Sequence, residues 1–237
     1  QGELERAIHL LTGTQTRIRG AGRTDAGVHS TGQVVAFDID KDLDYGRLAP
    51  GLNYYLPSDI SVVSSSHARI GFDPRREAVS RTYRYTFLER LSRSPLRDRF
   101  TNRVTRILDI DAMQQSMSYL VGTRNFAPFC GKLPPGKGAV RHIFRADVWR
   151  EMDEVHLELE GNAFLPQQVR RIAGQALEIG LGKMTLEAFE DLADLGDHGA
   201  AANVLPPKGL CLRQINYGDV SAESYAVTTD NKTYSGR

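Results

Sequence analysis

Apolar residues recur at helical spacing in several parts of the chain. Leu4, Ala7, Ile8 and Leu11 lie three or four positions apart, and Gly13 follows where a left-handed C-cap would end a helix. Similar spacing predicts further helices over residues 47–55, 110–121, 169–177 and 185–195.

Strict alternation predicts a strand over residues 79–87. One face of this strand would carry Val79, Arg81, Tyr83, Tyr85 and Phe87. Further strands are expected over residues 33–37, 60–65, 140–149, 155–159 and 210–217, with the third and fourth of these joined as a hairpin.

Helices and strands are mixed without the regular alternation of a parallel βαβ sheet, so the sequence predicts an α+β fold. Helix–strand–strand material occurs twice, with a division near residue 106. We therefore expect two α+β halves, residues 1–106 and 107–237, with a polar tail from about residue 218.

Composition indicates an ordinary globular protein, since 41% of the 237 residues are hydrophobic and 25% are charged. No apolar run approaches the ~20 residues of a membrane-spanning helix. Cys130 and Cys211 are far apart in the sequence, which excludes a disulfide scaffold or a zinc ribbon and predicts a reducing cytoplasm.

The formal net charge of +1 hides an uneven distribution of charged residues. Residues 69–106 include eleven arginines and four acidic residues, whereas residues 151–199 include eleven acidic residues and three basic ones. One interpretation is that the two regions pair across the fold. The other is a phosphate-facing surface, because every cation of the basic region is arginine. The candidate phosphate contacts are Arg90, Arg93, Arg97, Arg99 and Arg103.

A glycine-rich stretch over residues 19–29 holds the most informative carboxylate. Small residues follow Asp25, so its carboxylate is expected to be accessible and the backbone can approach a ligand closely. Arg23 lies two positions earlier and is predicted to keep that carboxylate ionised and oriented. An Asx-turn with a local ion pair accounts for the same residues, so local chemistry alone leaves both interpretations open.

Four separate blocks of the chain resemble the tRNA pseudouridine synthase A family. Residues 22–29, G-R-T-D-A-G-V-H, match the family's signature nearly letter for letter. The others are R-T-Y-R-Y at residues 81–85, G-N-A-F-L-P-Q-Q-V-R-R-I-A-G at residues 161–174 and P-P-K-G-L at residues 206–210. The blocks follow the family's order and span almost the whole chain, which excludes chance similarity.

The resemblance implies an isomerase that converts uridine to pseudouridine in the anticodon stem-loop of tRNA, at positions 38, 39 and 40. It implies a pseudouridine synthase fold, in which two similar α/β halves with mainly antiparallel sheets form a central active-site cleft. Asp25 matches the essential carboxylate, which attacks either C1′ of the ribose or C6 of the uracil. The glycosidic bond then breaks, the base rotates and a C5–C1′ bond forms. This isomerisation involves no oxidation and adds no water, so neither a cofactor nor a metal is expected.

The resemblance also assigns roles to residues outside the glycine-rich stretch. Tyr83 matches the tyrosine expected to hold the flipped base, and its hydroxyl is a candidate for moving the C5 proton. Arg170 matches an arginine that forms a salt bridge with the nucleophilic aspartate. Leu210 is expected to line the uracil pocket, although core packing accounts for it equally well. His29 is expected to contact a phosphate or to pack at the edge of its loop.

Three alternatives differ in the side chains that they require. A metal site at His29, His142 and Cys130 fits no known zinc spacing. A retaining glycosidase needs a second carboxylate about 5 Å from the first, and no such acid stands out near Asp25. An inactive RNA-binding module with the same fold would have no reason to retain all four matched site residues.

Two further expectations come from the resemblance alone. The protein is expected to work as a homodimer, so that one tRNA touches both subunits. The family's opening strand, with its Y-D-G type motif, is expected upstream of Gln1 and is missing from this sequence.

Overall fold

The computed structural model describes residues 1–39, 44–133 and 136–218. Within them it confirms a mixed α/β fold with mainly antiparallel strands. The helices are α1 (Gly2–Thr12), α2 (Tyr45–Tyr55), α3 (Ile110–Tyr119), α4 (Gln168–Gly180) and α5 (Leu186–Leu195). The strands are β1 (Arg19–Gly20), β2 (His29–Ser30), β3 (Val35–Ala36), β4 (Ser80–Glu89), β5 (Asn102–Val104), β6 (Gly122–Asn125), β7 (Val140–Glu151), β8 (Glu154–Gly161) and β9 (Leu210–Asn216).

Contacts divide the described chain into two compact units. The N-terminal unit comprises residues 1–21 and 34–77 with Tyr217, and the sheet unit comprises residues 22–33 and 78–216. This division differs from the predicted boundary near residue 106. The reason is that β4 hydrogen-bonds along its length to β8 and β9, which ties it to the C-terminal part of the chain.

Two helices form the core of the N-terminal unit. Ala7 and Ile8 of α1 are buried against Leu48 and Leu52 of α2, as the helical spacing of their apolar residues predicted. In the same unit, β1 and β3 pair as a short antiparallel ribbon, so the strand predicted over residues 33–37 is reduced to two residues.

The strand predicted over residues 60–65 is wrong, since this segment is neither helix nor strand. The Asn53 side chain donates to the Val62 carbonyl over 2.8 Å and accepts from the Val62 amide over 2.7 Å. A side chain of α2 therefore satisfies the backbone groups that a neighbouring strand would otherwise pair.

The sheet unit is built on a seven-stranded sheet. Its order is β2-β9-β4-β8-β7-β6, with β5 paired to β4 off this path. β4 runs antiparallel to β8 and β9, while β2 is parallel to β9 and β5 is parallel to β4. The predicted hairpin is confirmed as β7 and β8, which turn at Met152 with a positive φ of 53°.

One apolar core anchors the elements that carry the matched blocks. Tyr85 and Phe87 of β4 are fully buried in it, as are Ile172 and Ala176 of α4. The helix α3 packs on β7 and on α4 and α5. Because β4 and α4 share this core, the polar side chains at their ends have fixed positions relative to each other.

The helices predicted over residues 110–121, 169–177 and 185–195 are confirmed as α3, α4 and α5. The predicted polar tail lies outside the described residues from residue 219 onward. Among the described helices, none is long and apolar enough to cross a membrane.

Candidate active site

Asp25 opens a tight turn within the glycine-rich stretch. The Val28 amide donates to the Asp25 carbonyl over 3.1 Å, and Gly27 occupies the third position with a φ of 82°. A side chain there would be strained, and its Cβ would also lie only 3.1 Å from Cγ of Pro207. The turn therefore packs closely on the P-P-K-G-L block and leaves the Asp25 side chain 41% exposed.

Arg170 holds the Asp25 carboxylate. Its Nη1 donates to Oδ2 of Asp25 over 2.8 Å, and its Nε donates to the Leu205 carbonyl over 2.7 Å. The Arg170 side chain is only 14% exposed, so the ion pair has one largely buried partner and one open one. This arrangement fixes the carboxylate in space while leaving it open to a ligand.

Arg23 forms no ion pair with the Asp25 carboxylate, which it was predicted to keep ionised and oriented. Its side chain is exposed and makes neither a hydrogen bond nor an ion pair with any residue that the structure describes. The orientation of Asp25 comes instead from Arg170, which lies 145 positions away in the sequence. Arg23 is thus beside the carboxylate in the chain and free to contact a ligand.

Tyr83 lies near the loop that carries Asp25, close enough for the Asp25 charge to act on its hydroxyl. Its ring contacts Phe164 edge-on, with centroids 5.2 Å apart, and a Cβ on Gly22 would lie 3.9 Å from its hydroxyl oxygen. Burial raises the pKa of the Tyr83 hydroxyl, the Asp25 carboxylate raises it further and Arg81 opposes the shift. The hydroxyl is therefore protonated at neutral pH.

Tyr85 secures the P-P-K-G-L block from beneath. Its hydroxyl donates to the Pro206 carbonyl over 2.9 Å, and Gly209 lies so close to the ring that a Cβ there would be 2.7 Å from Cζ. Leu210, the next residue, is 6% exposed and belongs to the main core. The block thus has a buried base and an outer side that faces the Asp25 turn.

The P-P-K-G-L block and the Asp25 turn are also joined to the segment that follows β4. The Nε2–H of the His29 ring donates to the Arg99 carbonyl oxygen over 2.7 Å, and the ring packs on Phe100 with centroids 4.8 Å apart. These contacts account for His29 as a packing residue at the edge of its loop.

Arg97 is engaged within the protein. It forms two hydrogen bonds with Asp153, of 2.6 and 2.7 Å, and a third of 3.3 Å with Glu154. The hydrogen bonds with Asp153 raise the pKa of the Arg97 guanidinium. Part of the basic region thus pairs with the acidic region, which is the first of the two interpretations offered above. Arg99, in contrast, is exposed.

Sequence reasoning missed two contributors to this site. Phe164 belongs to the third matched block, so the resemblance included this residue, but nothing in the sequence indicated its contact with Tyr83. Leu205 contributes only a backbone carbonyl to Arg170, and a backbone group leaves no signal in the sequence.

All four matched blocks meet in the sheet unit. Arg170 reaches Asp25, Phe164 touches Tyr83, Tyr85 anchors Pro206, and Gly27 packs on Pro207. The group that results is an open carboxylate, a buried cation that orients it and a protonated phenol nearby. In the described part of the chain, no group of three or more His, Cys, Asp or Glu side chains is placed to hold a metal ion. The combination of the open Asp25 carboxylate, the Arg170 cation and the Tyr83 phenol fits covalent catalysis by a carboxylate.

The comparisons with known proteins match tRNA pseudouridine synthases. The family described as tRNA pseudouridine synthase matches residues 117–218. A protein of Geotalea daltonii named tRNA pseudouridine synthase A is 36% identical over 217 residues, which cover 92% of this chain and 89% of that protein. Proteins of the same name from Citrifermentans bemidjiense and Myxococcus xanthus are 38% and 36% identical, over 92% and 97% of this chain and 87% and 88% of theirs.

Proposed function

The chain belongs to the tRNA pseudouridine synthase A family, and we propose that it isomerises uridine to pseudouridine in the anticodon stem-loop of tRNA, at positions 38, 39 and 40. The family makes the protein an isomerase that acts on tRNA. The observation that supports catalysis by a carboxylate is the ion pair between Asp25 and Arg170, formed where all four blocks meet. The positions 38, 39 and 40 are proposed from the resemblance of the motifs.

Asp25 is the nucleophile in this proposal. Its carboxylate forms a bond to C1′ of the ribose or to C6 of the uracil, the C1′–N1 bond breaks, and the base turns within the site. On the C1′ route, C5 attacks C1′ and displaces the Asp25 carboxylate. On the C6 route, C5 bonds to C1′ first, and the Asp25–C6 bond breaks as the proton on C5 leaves. On both routes C5 loses its proton and N1 takes one up, so the product is an isomer of uridine. Arg170 supports this role because a fixed cation keeps the carboxylate ionised and aimed.

Tyr83 holds the flipped uracil and relays the C5 proton. A reacting base leaves its stack and needs a new ring or apolar surface to lie against. Because its raised pKa keeps the hydroxyl protonated, Tyr83 gives its own proton to solvent as its oxygen accepts the proton from C5. Arg23, exposed beside the nucleophile, contacts the substrate RNA.

Release of tritium from tRNA labelled at C5 of its uridines tests the proposed reaction, since the C5 hydrogen is lost only when the C5–C1′ bond forms. We expect release that requires uridine at position 38, 39 or 40, together with pseudouridine at the same position. Binding of tRNA without any release of tritium would instead identify an inactive RNA-binding module.

We expect the variant Tyr83→Phe to lose activity but to keep its affinity for tRNA. It keeps the ring against Phe164 and the surface for the base but removes the relay, so turnover should fall by ~10²–10⁴-fold. Tyr119→Phe is the matched control, because it removes a hydroxyl that donates to Asp194 instead. Turnover of Tyr83→Phe near that of this control would leave Tyr83 with a stacking role only.

The pH profile offers an independent check on Tyr83. Its hydroxyl pKa is raised above the ordinary value of 10.0, so the protonated form persists into alkaline solution. We expect turnover under saturating tRNA to show no loss due to Tyr83 as the pH rises towards 10. A loss near pH 9 that disappears in Tyr83→Phe would contradict this assignment.

We propose that the enzyme acts in the cytoplasm as a homodimer, with each tRNA in contact with both subunits. Light scattering at micromolar concentration is expected to give twice the mass of the 26.3 kDa chain. A monomer mass in a preparation with full activity would refute the dimer.

A further inference from the structure

A basic cleft opens on the sheet unit beside the segment that follows β4. Its volume is about 640 Å³. We call it the basic cleft and define it by its polar lining, which consists of Arg93, Asp98, Arg99, Asn102, Arg103 and Lys208. Four of these six side chains are cations and one is an anion. The cleft thus carries an excess of positive charge over an area that does not include the Asp25–Arg170 pair.

The arginines of the basic cleft present unused hydrogen-bond donors. The side chains of Arg93 and Arg99 are exposed and make no hydrogen bond or ion pair with the residues that the structure describes. Arg103 is held in place because its Nη1 donates to the carbonyls of Arg90 and Leu91, over 3.3 and 2.9 Å. Its remaining donors have no partner in the described chain. Guanidinium groups with open donors are suited to binding phosphate.

Asp98 is the anion that this group of cations holds at present. Its Oδ1 accepts from Lys208 Nζ over 2.8 Å. Lys208 lowers the pKa of the Asp98 carboxyl most, and Arg93 and Arg103 lower it further. Both partners are solvent-accessible, with 65% of the Asp98 side chain and 36% of the Lys208 side chain exposed. An exposed pair of this kind is readily exchanged for a stronger anion.

Both walls of the basic cleft are attached to the turn that carries Asp25. On one wall, the carbonyl of Arg99 is hydrogen-bonded to the His29 ring at 2.7 Å. On the other, Lys208 follows Pro207, on which Gly27 packs. An RNA backbone that occupied the cleft would therefore lie against the same loop that positions the nucleophile.

We propose that the basic cleft binds phosphates of the substrate RNA backbone through Arg93, Arg99, Arg103 and Lys208, and that Asp98 is a resident counter-ion which the RNA displaces. The proposal rests on the proposed function, since tRNA is the polyanion that the enzyme must hold. It separates the arginines of this region into those that serve RNA and those, such as Arg97, that serve the fold.

Two kinds of variant give opposite results if the cleft binds phosphate. Arg99→Gln and Arg103→Gln each remove one contact, which should weaken binding of an unmodified tRNA transcript ~3–10-fold at 0.1 M salt and flatten the slope of log K against log salt by ~0.7–0.9. Asp98→Asn removes the competing anion and should tighten binding several-fold. The matched control is Arg106→Gln, an exposed arginine of the same region outside the cleft.

Measurement by fluorescence anisotropy over a series of salt concentrations decides between the outcomes. Weaker binding by both arginine variants and tighter binding by Asp98→Asn, each relative to Arg106→Gln, supports the proposal. Affinities and salt slopes that match this control, or a weaker complex with Asp98→Asn, overturn it. Tritium release by the unsubstituted protein is measured separately. Normal release together with unaltered binding by the cleft variants would refute only the cleft proposal, whereas no release would refute the proposed function.

Discussion

Asp25→Asn is expected to abolish pseudouridine formation while the protein still binds tRNA. Asparagine keeps the shape of the side chain and an oxygen that can accept from Arg170, but it lacks the charge needed to form the covalent bond. Removing the nucleophile should reduce turnover by at least ~10⁴-fold. The affinity for tRNA should stay within a few-fold, because phosphate contacts elsewhere supply most of the binding. Steady-state tritium release and a tRNA binding isotherm measure the two effects.

Two further variants make this result specific to the carboxylate of Asp25. Asp59→Asn removes an exposed carboxylate in the N-terminal unit and should leave both measurements unchanged. Asp25→Glu keeps the charge but moves it by one methylene, which should still cost ~10²-fold or more in turnover because attack depends on placement. Full activity of Asp25→Glu together with Asp25→Asn would mean that this side chain does not react.

Arg170→Ala is expected to have a similar but less complete effect. Arg170 does not react with the substrate; it connects the Leu205 carbonyl with the Asp25 carboxylate and so sets the position of the nucleophile. Its loss should lower kcat by ~10²–10³-fold and leave the affinity for tRNA within a few-fold. Arg170→Lys should recover only part of the loss, because an ammonium group cannot reproduce the forked contact with the Leu205 carbonyl oxygen and Oδ2 of Asp25.

Arg124→Ala controls for a general loss of stability. Arg124 also forms a partly buried ion pair, with Asp194, and lies over the Tyr119 ring, but it has no contact with the Asp25 turn. Thermal unfolding should show losses of the same order for the two alanine variants. Normal turnover by Arg170→Ala, or an equal loss of kcat in Arg124→Ala, would remove the positioning role.

The fold was largely predictable where a periodic pattern coincided with burial. The alternation in β4 and the spacing in α4 place Tyr85 and Ile172 in the core, and each prediction depends only on local periodicity. The segment over residues 60–65 shows the limit of this reasoning. Its backbone pairs with the Asn53 side chain, a partner from another element that no local pattern contains.

The candidate site shows the same division between local and distant information. The motifs identified Asp25, Tyr83 and Arg170 individually, because a resemblance transfers residue by residue. Local spacing favoured Arg23 as the partner of the carboxylate, whereas the structure brings Arg170 to it from the start of α4. The resemblance had implied this salt bridge, but local spacing could not, because an ion pair between residues 145 positions apart depends on tertiary packing.

Charge patterning alone could not separate the arginines that bind acids from those that remain open. The β7–β8 turn places Asp153 against Arg97, and only the hairpin register determines that contact. Arg99, two residues further on, faces the basic cleft instead. The number of arginines therefore predicted a basic surface but not which arginines form it.

One measurement tests the central claim most directly: single-turnover tritium release from tRNA labelled at C5 of the uridines at positions 38, 39 and 40, with enzyme in excess. The account predicts rapid release and pseudouridine at the labelled positions with the unsubstituted protein, and no release above background with Asp25→Asn. Release by Asp25→Asn at a rate near that of the unsubstituted protein would contradict the assignment of Asp25 as the nucleophile.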